Sequence, residues 1–231
     1  MNHRLTPALL WLALSSTAAQ AQVGAQCRHN PHLSRARDSY RGLNFEDVAA
    51  VLQRAIEYWG NCRQDLIEIY QWKGTIDALF DERERCLRDF EILLALDPKP
   101  VLPPDAPARV AACLARAQAE PAEKRRLELQ IAGPARARPK HPVPIEVTVE
   151  DPLRLTQEVW LFYRRQGLKV FTVAQARADD HSTLVIPALA LLPDEGGYRV
   201  EYFVRVVDRW GGTLAEVGSA AEPRSFQVSE D

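Results

Sequence analysis

Along the first half of the chain apolar residues recur at steps of three and four, and along the second half they alternate one by one. The first spacing belongs to a helix with one buried face and the second to a strand with one buried face, so helices are predicted first and strands after. Five helices can be drawn. The first covers 31–41 and ends at Gly42, which can take the left-handed conformation that closes a helix. Asn44 caps the second, with Glu46 and Asp47 in its positive first turn and Phe45, Val48, Leu52, Ile56 and Trp59 on one face. Gly60-Asn61 stops it. The third, 62–80, carries two apolar stripes, one through Leu66, Tyr70 and Gly74 and one through Ile69, Trp72, Ile76 and Leu79. It is therefore packed on two sides, with Tyr70 and Trp72 in the core. The fourth, 82–96, turns Cys86, Phe90, Leu93 and Leu94 inward and stops at Asp97-Pro98. After a proline-rich loop, Asp105 caps a fifth helix that holds Val110, Cys113 and Leu114.

Residues 120–125 break the helical pattern. Strands are predicted at 126–131, 143–150, 158–165, 169–174, 182–187, 198–208, 213–217 and 225–228, with Gly-containing turns at 166–167, 194–197 and 208–212. Seven or eight short strands with no helix between them predict an antiparallel β-sandwich, with Trp160 as its core tryptophan. The expected division is a signal peptide at 1–21, a helical domain at 22–119 and a sandwich at 120–231, of which 120–125 is the connector.

Helices three and four resemble a tetratricopeptide repeat. Counted from Ile67, the residues Gly74, Cys86, Phe90 and Pro98 fall at the small, small, aromatic and proline positions of that roughly 34-residue unit. Lys73 and Asp77 depart from it, standing where leucine and an aromatic are usual. The stretch from Tyr198 to the glycine turn after Asp208 resembles the last hairpin of bacterial immunoglobulin-like or fibronectin type III-like domains. The whole order resembles secreted tetratricopeptide-repeat proteins of Gram-negative bacteria. That resemblance implies a repeat domain followed by an immunoglobulin- or fibronectin III-like sandwich, an envelope location and no agreed activity.

Composition changes the picture little: 231 residues, 46% apolar and 26% charged, describe an ordinary folded protein. A net charge of −2 is not that of a nucleic-acid binder. The first residues matter more, because Arg4, the apolar run 5–14 and Ala19-Gln20-Ala21 form a signal peptide cleaved before Gln22. The run is about half of the roughly 20 residues a membrane helix needs, so no transmembrane anchor is expected. Gln26 precedes Cys27, which excludes a lipoprotein acceptor, and the mature chain is expected in the periplasm or outside the cell.

The cysteines are Cys27, Cys62, Cys86 and Cys113. In an oxidising compartment they predict two disulfides, for which three connectivities are open, as is the alternative of buried free thiols. The favoured pairs are Cys27–Cys62, holding the N-terminus, and Cys86–Cys113, tying the repeat to its cap. With no C-x-x-C pair, neither a zinc knuckle nor a redox cofactor is expected. Cys27, His29 and His32 lie close in sequence, but a plain N-terminal segment is preferred to a metal site.

No nucleophile elbow, phosphate loop or H-E-x-x-H is present in the sequence. His141 and His181 read as solvated strand-end residues, and Asp179-Asp180 and Asp194-Glu195 as turn residues. Trp210 is different, since tight turns favour small polar side chains. It is either an anchor for a partner or sugar, or a lid folded over the end of the strands. The expected function is non-enzymatic, with no cofactor: an interaction module for a protein partner in the envelope. The alternative is binding of a glycan or envelope polymer through exposed aromatics, and an enzyme with an unrecognised site comes third.

Overall fold

The computed structural model describes residues 30–42 and 44–230. The expected signal peptide, Cys27 and His29 lie outside the described residues. Among these residues the chain forms five α-helices: α1 (Pro31–Arg41), α2 (Phe45–Ile56), α3 (Arg63–Leu79), α4 (Arg83–Leu96) and α5 (Ala108–Ala119). Local chemistry starts the first three. Asn30 Oδ1 accepts from His32 N at 2.9 Å with Pro31 behind it, Asn44 Oδ1 accepts from Asp47 N at 3.4 Å, and Asp65 Oδ2 accepts from Cys62 N at 3.0 Å. Three expectations about ends fail. Gly42 has φ −78°, not the left-handed conformation expected of it. α2 stops at Ile56, so Trp59 stands in the turn beyond the helix and not on its apolar face. Asp105 does not cap α5, because Ala106 N donates to Pro103 O at 3.0 Å and keeps Asp105 in a turn, and the helix starts behind Pro107.

The strands are β1 (Glu128–Ala132), β2 (Arg136–Ala137), β3 (Val143–Glu150), β4 (Glu158–Arg165), β5 (Thr172–Arg177), β6 (His181–Ile186), β7 (Tyr198–Val207), β8 (Thr213–Val217) and β9 (Arg224–Val228). They build one three-stranded sheet, β1-β3-β6, and one six-stranded sheet, β2-β9-β7-β4-β5 with β8 also on β7. β2 runs parallel to β9 while the other pairs are antiparallel, so the larger sheet is mixed.

The order is thus helices and then strands, but the fold class expected from sequence is overturned. No second copy of the α3–α4 pair lies beside it among the described residues, and the nine strands form a mixed β region, not an antiparallel immunoglobulin- or fibronectin-like sandwich. The reason is where α3 buries its apolar stripe. In a solenoid a helix pair packs on the next repeat. Here Leu66 and Ile69 of α3 and Ile92 and Leu96 of α4 join one cluster with Ile145, Val147, Leu161, Val204 and Leu214 of the sheets. The hydrophobic core therefore crosses from the helices into the strands.

A second apolar cluster lies on the other side of the helix pair, with Cys86, Phe90, Leu93, Val110 and Leu114. Cys86 and Cys113 are joined by a disulfide that fastens α4 to α5. Gly74 is needed here, because a Cβ on it would lie 2.7 Å from Phe90 Cε1. Trp160 is 7% exposed and packs with Phe162, Phe203 and Phe171 on the face of β4 opposite Val159 and Leu161, so β4 is buried on both faces.

Candidate functional site

The β7–β8 turn closes on its own side chain. Asp208 Oδ1 accepts from Trp210 N and Gly212 N, each at 2.8 Å, and Asp208 N donates to Gly212 O at 2.9 Å. This turn reaches the helices. Thr213 N donates to the Asn61 carbonyl at 2.8 Å, and Asn61 is itself fixed at the end of α2, where its amide and that of Asn30 both donate to Ala55 O at 2.8 Å. Both asparagines are fully buried and joined to each other at 2.7 Å, which satisfies groups that could not otherwise be buried cheaply. Gly211, at φ +76°, completes the contact, because any Cβ there would lie 2.8 Å from Trp59 Nε1. The Trp59 indole rests directly on the turn backbone.

Two open cavities flank the Asp208–Trp210 wall. The first, of about 360 Å³, is lined by Trp59, Trp160 and Trp210 with Glu57, Glu158 and Arg209. Trp59 is 40% exposed, its ring centroid is 6.4 Å from that of Trp160, and Trp160 Nε1 donates to Glu158 Oε2 at 2.7 Å. Indole faces and hydrogen-bonding edges thus meet in one cleft.

The second cavity, of about 320 Å³, shares Gln157, Asp208, Arg209 and Trp210 with the first and adds Tyr70, Lys73, Arg88, Asp89 and Arg154. Burial pushes the Asp89 carboxyl up to about 7, with the Lys73 ammonium opposing the rise and the Asp77 carboxyl adding to it. Asp89 Oδ2 faces Lys73 Nζ at 3.4 Å without an aligned hydrogen bond. Burial also raises Asp208, against the backbone N–H groups of Gly212 and Trp210, and raises Tyr70 well above the usual phenol range. Trp210 Nε1 is buried with no hydrogen-bond partner among the described residues. The cavity therefore offers a buried donor, a buried acceptor and a proton site that titrates near neutrality.

Trp210 is neither a bare loop tip nor only a lid on the strands. It is partly buried against the shared core, with the Arg209 guanidinium 5.1 Å from its ring. Tyr70 and Trp72 are half-buried, not core: Tyr70 lines the second cavity, and Trp72 lines a groove of about 400 Å³ on the helical side, where its Nε1 donates to Glu68 Oε1 at 3.3 Å. His141, His181, Asp179, Asp180 and Glu195 are exposed, and Asp194 pairs with Arg165. His32 lies beside Tyr58, and no group of three metal-donor side chains occurs among the described residues. Cys62 is disulfide-bonded, while Cys27, its favoured partner, lies outside the described residues. Sequence reasoning missed Trp59, Asp89 and Arg154 as cleft residues. Its one signal was Lys73 and Asp77, two charges on a helix that otherwise reads as doubly buried. No protein-family model matches the chain, and no curated protein matches it.

Proposed function

We propose that the protein is a non-catalytic binding protein of the periplasm or outer envelope that holds an envelope polysaccharide in the cleft between helices and sheet. The observation that carries this is the convergence of Trp59, Trp160 and Trp210 with Glu57, Glu158 and Arg209 on one open cavity. A sugar ring has a face of C–H bonds that stacks on an indole and an edge of hydroxyls that bonds to carboxylates and guanidinium, and this cleft supplies both. The Cys86–Cys113 disulfide is compatible with an oxidising compartment, and no helix among the described residues is long and apolar enough to cross a membrane. Export by the 1–21 segment completes the reading.

The protein partner expected from the sequence becomes the second reading, favoured by the groove that Tyr40, Trp72, Leu102 and Pro103 line with Glu68 and Asp105. It suits a short apolar segment. Affinity electrophoresis of the mature chain in gels containing envelope polysaccharide separates the two. Trp59→Ala should abolish retardation while leaving the melting temperature within a few degrees, since Trp59 is already 40% exposed. Unchanged retardation in Trp59→Ala sinks the cleft as the binding site. Protein crosslinks at the groove with no retardation of the wild type put the second reading first.

A further inference from the structure

We propose that the cavity behind Trp210 is an anion subsite and that the polymer it selects is an acidic polysaccharide. A sugar carboxylate sits against the Trp210 indole N–H and the Arg154 and Arg209 guanidinium groups, while a neighbouring ring lies on Trp59. The inference rests on the polysaccharide reading above and names its ligand class.

Four basic side chains line this cavity against two carboxyls. Lys73 is committed to Asp89, but Arg88, Arg154 and Arg209 make no ion pair among the described residues. Four basic side chains against two carboxyls leave a net positive field at this cavity, and a guanidinium matches a carboxylate in two parallel hydrogen bonds. The Trp210 Nε1 atom points the same way. An indole N–H only donates, and this one is buried in the cavity wall with no partner among the described residues.

Arg154 is held out by its own loop. Arg154 N donates to Asp151 O at 3.0 Å, Asp151 Oδ2 accepts from Thr156 N at 2.6 Å, and Arg154 itself has φ +54°, a left-handed conformation that is unusual for arginine. A sugar acid carries the carboxylate, the adjacent hydroxyl and a C–H face for Trp59. An acidic peptide lacks the last of these.

The test uses the mature disulfide-bonded chain with alginate and polygalacturonate, each beside its carboxyl-reduced neutral form, and with poly-L-glutamate. The wild type should bind at least one acidic polymer tenfold or more tighter than its reduced form, with the preference shrinking as salt rises. Arg154→Gln, an exposed change, and Trp210→Phe, which keeps a ring but removes the N–H, should bring the acidic and reduced forms to within about threefold of one another. Equal binding of acidic and reduced polymers by the wild type overturns the anion subsite and leaves the polysaccharide reading standing. Binding of none of the polysaccharides overturns both. Poly-L-glutamate bound as tightly as the acidic glycans overturns the saccharide class, and a preference unchanged in both variants places the anion elsewhere.

Discussion

The α3–α4 helix pair is finished differently on its two sides. Toward α5 the contact is apolar: Phe90, which meets Gly74 across the pair, packs with Leu93, Val110 and Leu114, and Cys86 is bonded to Cys113. Toward the sheet the same helices present Tyr70, Lys73 and Asp89 to the Trp210 turn, where a buried carboxyl faces Lys73 at 3.4 Å and a buried indole N–H has no hydrogen-bond partner among the described residues. Folded proteins leave few buried polar groups unpaired, and each one lowers stability relative to a paired or apolar alternative. The α5 side is thus closed by apolar contacts and a disulfide, while the sheet side combines the shared core with the cleft that the proposed ligand would occupy.

Three changes sharpen or break that contrast. The largest should come from Cys86→Ser with Cys113→Ser. Opening a loop with a sequence separation of 27 should lower unfolding free energy by about 3.6 kcal/mol on the chain-entropy model, read from the denaturant midpoint, with polymer binding intact below the transition. Lost binding in the folded variant would mean that the two sides are coupled. Next is Gly74→Ala, which forces a methyl against Phe90 and should cost about 1–3 kcal/mol with no change in binding. A neutral result would show that α3 and α4 part easily and that their contact is not tightly packed.

The change whose effect depends on pH is Asp89→Asn. The folded Asp89 carboxyl titrates at about 7, above the ordinary carboxylate value of 3.8. The stability this group adds is fully present below the unfolded value and is lost as pH rises through about 7. Wild-type stability should thus fall between about pH 4 and pH 7 relative to Asp89→Asn, whose amide stays neutral, and level off above that. The span between the two values, at about 1.4 kcal/mol per tenfold in proton affinity, sets an upper bound of about 4 kcal/mol on the variant's gain. Parallel pH profiles for the two proteins would show that Asp89 is as well solvated as an ordinary surface acid.

The strands 143–150, 158–165 and 213–217 were legible to the residue, because alternation and glycine turns are local signals. β5 was placed three residues early. Leu168 and Val170 extend the apolar pattern upstream, yet they are 58% and 42% exposed, and pairing with β4 starts only at Thr172. β2 was invisible, since two residues hold no period and only its parallel pairing with β9 makes it a strand. The repeat was misread for a related reason. Gly74 and Phe90 do meet as a close helix pair requires, but close packing of two helices does not specify what covers their other face.

The sequence by itself determined the order of helices before strands, most element boundaries and the close approach of α3 to α4, because periodicity, caps and small residues act within a few turns of chain. Only the tertiary structure decided that a sheet, and not another repeat, covers α3, and that Trp59, Trp160 and Trp210 come together around one turn. It also decided that Asp89 is desolvated beside Lys73 under a segment from the far end of the chain. Burial and convergence depend on segments that share no local pattern, so their chemistry could not be read before the chain was folded.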